Sequence, residues 1–197
     1  MPVTINGSGS IAGLSVGGLG SGVVNQATLA DGAAAGAKLG TGSVIQRVQN
    51  LTYTRAAISN TTFTATAHSV TITPQLASSK ILINFSSMIN TNGVNYRAYL
   101  NVYRSINGGT FVGIAPEGSA QTTGGSTSAG FISEVRADAS RIQVPFNIHY
   151  IDSPSYSLGN SIVYKLYLRS SNSSHTLELP NNNESEPVVS IATEIRG

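Results

Sequence analysis

Residues 1–46 carry no aromatic ring and only two charged side chains, Asp31 and Lys38, and this bareness limits the fold more than any other feature of the chain. Eleven of the 21 glycines sit there, in runs such as Asn6-Gly7-Ser8-Gly9-Ser10 and Val16-Gly17-Gly18-Leu19-Gly20-Ser21-Gly22. Gly-rich backbone loses more conformational entropy on ordering than its small side chains return. Such a segment does not fold alone. Apolar residues nevertheless recur along it, at Ile5, Ile11, Leu14, Val16, Leu19, Val23, Leu29 and Leu39, unlike a plain solvated linker. These are the candidate anchoring and assembly residues of an extended arm, 1–46, that becomes ordered against another surface. The scarcity of charge suits burial, because few ions need desolvating.

Residues 47–197 hold every Phe and Tyr and nearly all of the charge, and they are enough for one core of common domain size. Charged residues make up 10% of the chain against roughly 25% in an ordinary soluble domain, so Ser, Thr, Asn and Gly must furnish the polar surface. A net charge of +2 with no Lys/Arg run argues against a nucleic-acid partner. No apolar run is long enough to cross a membrane as a helix, and no segment reads as a secretory signal. With no cysteine, disulfides, thiolate chemistry and Cys-based zinc sites all drop out. Robustness has to come from elsewhere, and oligomerisation is the usual route.

The body reads as short β runs punctuated by turns. Strands are expected at 44–54, 61–67, 70–73, 80–86, 96–104, 111–115, 129–136, 142–151, 161–169, 175–179 and 188–195. Lys80 to Ser86 has apolar residues on both faces, as a central strand does. Pro145 points to an edge strand or a bulge, and Asn107-Gly108 is a hairpin signal. Ile162, Tyr164, Leu166 and Leu168 fall on one face. With no credible helix in the body, the expectation is an all-β, antiparallel two-sheet sandwich of jelly-roll type after a Gly-rich arm.

Catalytic motifs are not found. His68, His149 and His175 lie in separate segments without metal-ligand spacing, and the Asn181–Glu186 loop lacks a calcium-loop pattern. No nucleophile elbow and no phosphate loop with its lysine occur. The reading is therefore non-enzymatic, with no cofactor and no metal. The tyrosines either stack on sugars or fill a core or a subunit interface, and the second is favoured. Tyr156 in its Ser153–Ser157 loop is the exception. With Thr122 and Asn182 it marks the possible ligand-facing loops.

Two features of the arm remain. Leu19-Gly20-Ser21-Gly22-Val23-Val24-Asn25-Gln26 is echoed by Leu39-Gly40-Thr41-Gly42-Ser43-Val44-Ile45-Gln46, a repeat that would bury its apolar residues against a neighbour. The opening, Met1-Pro2-Val3-Thr4-Ile5-Asn6-Gly7-Ser8-Gly9-Ser10-Ile11-Ala12-Gly13-Leu14, resembles that of small fibre and capsid-decoration proteins of tailed bacteriophages, marine and cyanobacterial ones in particular. Thr28 to Leu39 is similar to their linkers, and Tyr150-Ile151-Asp152-Ser153-Pro154 with Ile162 to Leu166 resembles a strand–turn–strand of their knobs. The resemblance implies a virion-surface structural protein, commonly a homotrimer, anchored by its arm to capsid or tail proteins. The alternative expectation is a carbohydrate-binding module that recognises a host cell-surface glycan.

Overall fold

A computed structural model of the chain describes residues 4–5, 11–12, 39–92, 97–115, 121–122, 127–128, 131–136, 141–180 and 186–197. The chain divides into two compact units, 1–38 and 39–197. In the first, β1 (Thr4–Ile5) and β2 (Ile11–Ala12) pair antiparallel, with Ile5 opposite Ile11.

The second unit is all-β among its described residues. Its strands are β3 (Val44–Thr52), β4 (Ala56–Ile58), β5 (Thr64–Ile72), β6 (Lys80–Asn92), β7 (Arg97–Ile106) and β8 (Val112–Gly113). They continue with β9 (Gln121–Thr122), β10 (Thr127–Ser128), β11 (Ile132–Arg136), β12 (Arg141–Asp152), β13 (Ile162–Ser170), β14 (Leu177–Leu179) and β15 (Val188–Ile195). Two antiparallel sheets form the sandwich. One runs β3-β15-β6-β12, with β14 and β4 continuing beside β6 beyond the end of β15. The other runs β5-β13-β7-β11, with β8 added along β7. Between them the pairs β3·β15, β5·β13, β6·β12 and β7·β11 are nested, first with last and inward. A long hairpin folded over on itself in this way is a jelly roll.

Alternation builds the core. Ile162, Tyr164, Leu166 and Leu168 of β13 and Leu100 and Val102 of β7 face Ile81, Ile83, Phe85 and Ile89 of β6. Burying each of these large side chains contributes about 1.5–3 kcal/mol. The β6 strand lies between β12 and β15, the central place its two apolar faces indicate. The β12 strand pairs only with β6 among the described residues, which leaves Pro145 on an edge where its missing N–H does no harm. At the β7–β8 turn, Asn107 (φ 51°) and Gly108 (φ 75°) both take positive φ, and the Gly109 N–H donates to Ile106 O at 3.0 Å.

Three sequence expectations need adjusting. Residues 61–67 and 70–73 form the single strand β5, and β4 was not anticipated. The arm–body boundary expected at 46 falls inside β3, because Val44 and Gln46 pair with Ile195 and Glu194. Composition marks where aromatic residues begin, whereas the fold begins where backbone hydrogen bonds do. The linker-like segment from Thr28 lies outside the described residues as far as Lys38.

Candidate functional site

The sandwich presents one end and two outer sheet faces whose chemistry can be read in detail. The end is where the chain enters and leaves the body. Gly42 N–H donates to Arg196 O at 2.8 Å, and Arg196 N–H donates to Ser43 O at 2.9 Å. Beside this pair lies Glu194, fully buried on the inner face of β15. Its carboxylate accepts hydrogen bonds from Gln46 Nε2 (2.7 Å), the Gln75 N–H (2.9 Å), the Leu76 N–H (3.0 Å) and Ser79 Oγ (2.7 Å). Burial pushes the carboxyl up, but these donors outweigh it and hold the group below its ordinary range. The buried ion thus ties β3 and the 73–79 turn to the last strand.

Tyr156 belongs to the same end. Its ring packs against the core, its hydroxyl donates to Leu76 O at 2.6 Å, and the Tyr156 Oη itself accepts the Ser79 N–H at 2.9 Å. The expected ligand-facing ring is therefore turned inward as a strap over the 76–79 turn. A second tie lies nearby, where Arg104 of β7 reaches Asp152 of β12 with both carboxylate oxygens at 2.7 Å. Tyr164 Oη donates to the same carboxylate at 2.8 Å. Burial, together with the charge of Asp152, raises the tyrosine well above its ordinary range and keeps it a proton donor. This triad joins the two sheets.

Other sequence-selected residues are dispersed. Ile5 and Ile11 sit in β1 and β2, Leu39 is half-buried at the start of the body, and Leu14, Val16, Leu19, Val23 and Leu29 lie outside the described residues. Thr122 sits in β9 opposite Thr127, and Asn182 lies outside the described residues. His68 is buried in the core, where Nε2–H donates to Leu179 O at 3.1 Å and Nδ1 has no partner among the described residues. Burial lowers its pKa, outweighing that hydrogen bond, so the ring is neutral at pH 7.

The outer face of the β5-β13-β7 sheet carries Tyr99, Tyr103 and Tyr167. Tyr103 and Tyr167 stack with centroids 3.9 Å apart, and Phe63 and Phe111 flank them at 6.1 Å. Lys165 Nζ lies 4.9 Å from the centroid of Phe111, and the Arg169 guanidinium lies 4.2 Å from that of Tyr99 and 5.4 Å from that of Phe63. Ring faces occupied by neighbouring rings and cations in this way have little left for a sugar. The cluster rigidifies its sheet. Rings expected in a core or an interface thus divide by strand alternation, with Tyr103 and Tyr167 on the face opposite core-facing Tyr164.

The outer face of the other sheet is different in kind. Two adjacent rows of side chains cross all four strands, Arg47-Thr193-Leu82-Ile151 and Gln49-Ile191-Asn84-His149. Arg47, Thr193, Leu82, Ile191, Asn84 and His149 of these rows, with Val44, line an open trough of about 420 Å³. Asn84 Nδ2 donates to Asn147 Oδ1 at 2.9 Å and lies 3.4 Å from His149 Nδ1. Apolar Leu82 and Ile191 on an outward face are the signal in the sequence for this trough, although apolar residues on both faces of 80–86 equally mark a central strand.

Compared with solved structures, the chain is similar to a chain in the structure of infectious bursal disease virus, Gx strain, at 13% identity and a TM-score of 0.26. The match covers 77% of this chain and 36% of that one, so this chain spans about a third of its length. A likeness this distant carries no argument about function. No described protein family matches the chain, and no curated protein is similar to it.

Proposed function

We propose that the chain is a non-enzymatic virion structural protein, a homotrimeric fibre or capsid-decorating protein of a tailed phage, anchored by its N-terminal arm and exposing the sandwich on the particle surface. The observation that carries this reading is the division of the chain. A unit of 38 residues without aromatic rings precedes a sandwich closed by its own first and last strands. The first and last strands of the sandwich pair with each other from Val44 onward, and this reading assigns the residues ahead of them to another surface. Their spaced Ile, Val and Leu supply apolar area, and their glycines permit close backbone approach. Three arms tethered in one trimer also bind far more tightly than one. The phage-like opening sequence supplies the choice of particle.

The test is incorporation of a chain lacking residues 2–38 into particles. Loss of incorporation, with the sandwich still folded by circular dichroism, is expected. Undiminished incorporation would remove the anchoring role of the arm.

A further inference from the structure

The trough on the β3-β15-β6-β12 sheet has a chemistry that neither the fold nor a virion role requires. Leu82 and Ile191 form an apolar diagonal at its middle, with Thr193 and Asn84 beside them on the same two central strands and Arg47 and His149 on the outer ones. Arg47 projects from β3 and His149 from β12, on opposite rims. Three inter-strand spacings separate these rims, about 14 Å. Lys80 lies one row further along, opposite Ile195. No Asp or Glu projects outward in these three rows, because Glu194 and Asp152 are both turned into the sandwich. The Arg47 guanidinium has no hydrogen-bond or ion-pair partner among the described residues. A solvated outer face normally mixes charges of both signs, whereas these three rows present Arg47 and Lys80 with no carboxylate.

We infer that this trough binds a carboxylate-bearing oligosaccharide, with Arg47 pairing the carboxylate and the C–H face of a sugar ring lying on Leu82 and Ile191. Charge complementarity selects an anion, and a guanidinium matches a carboxylate with two parallel hydrogen bonds. The remaining polar groups select the saccharide. An amide on Asn84, an imidazole on His149 and a hydroxyl on Thr193 are spaced along and across the strands at side-chain intervals suited to sugar hydroxyls. A rim-to-rim distance of about 14 Å fits two or three linked rings. An acidic peptide is less well served. Peptides bind sheets chiefly by adding a strand to an edge, here β3 or β12, whereas the trough lies on the face between those edges. The inference does not depend on the virion reading, since the same trough would serve a free sugar-binding protein.

Titration of the full-length protein with trigalacturonate, a neutral hexose trisaccharide and triglutamate tests it, followed by calorimetry and by amide chemical shifts. Trigalacturonate should bind, with shifts centred on Leu82, Asn84 and Ile191, and the neutral sugar should bind weaker by on the order of tenfold, the value of one lost ion pair. Arg47→Gln, an outward-facing change away from the core, should weaken trigalacturonate by a similar factor while leaving the melting temperature unchanged. Affinity unchanged in Arg47→Gln, or shifts elsewhere on the protein, would overturn the site. Binding of triglutamate in preference to trigalacturonate would overturn the saccharide class, and no binding of any probe at about 10 mM would overturn the proposal altogether.

Discussion

At the scale of single residues, two buried ionisable groups set how this protein responds to acid. His68 is held neutral, with its pKa below the ordinary 6.5. The unfolded chain therefore takes up a proton near that pH while the folded one does not, and stability falls as the pH drops below about 6.5. Glu194 is held ionised, with its pKa below the ordinary 4.5, so its contribution is complete above that value and is lost as the pH falls further, through the folded pKa. Chemical denaturation as a function of pH should accordingly show two acid steps. His68→Leu should remove the upper one. Glu194→Gln should remove the lower one and cost about 2–3 kcal/mol at pH 7, because charge-assisted bonds from four residues are weakened in the interior. Nothing local in the sequence marks Glu194, and His68 enters there only as one of three histidines without metal-ligand spacing. Each occupies an inward position of an alternating strand, and only the packed neighbours show that a polar side chain there is satisfied rather than misplaced.

At the scale of elements, strand identity was legible because alternation and turn chemistry act locally. Ile162 to Leu168 could be assigned to a face from period two alone, and Asn107-Gly108 to a hairpin from its tolerance of positive φ. Gly108 sits in open space, so a methyl group there meets no atom and only backbone strain remains. Gly108→Ala should therefore destabilise by about 1 kcal/mol, visible as a lower melting temperature with an unchanged β spectrum. Strand ends were less legible. The β6 strand runs to Asn92, well beyond its apolar stretch, because β12 and β14 supply hydrogen-bond partners there. The β4 strand forms from Ala56 to Ile58 because β14 lies alongside it. Partners of this kind are distant in sequence and leave no local trace.

For the whole molecule, the place where the body begins has a measurable consequence. A chain starting at Arg47 loses Val44 to Gln46 of β3, the Gln46–Glu194 hydrogen bond and the Gly42–Arg196 pairing. A chain starting at Leu39 keeps them all. The shorter chain should melt lower, by about 2 kcal/mol or more of stability, since removing Gln46 takes one donor from a buried carboxylate. Light scattering on both, beside the full chain, reads the assembly. A trimer for all three places self-association in the sandwich, and a trimer for the full chain alone places it in residues 1–38.

What the sequence alone determined is the class of the fold and the contrast between arm and body. Both follow from properties that need no partner: side-chain periodicity, turn residues, and the inability of Gly-rich backbone to recover its ordering entropy. The nested jelly-roll order, the inward turn of Tyr156, the buried Glu194 and the cationic trough on the outer sheet face were decided only in three dimensions. Each joins residues on strands far apart in the chain, such as Gln46 with Glu194 or Arg47 with His149. Which strands become neighbours is settled by the packing of the whole core, where no single strand carries the information.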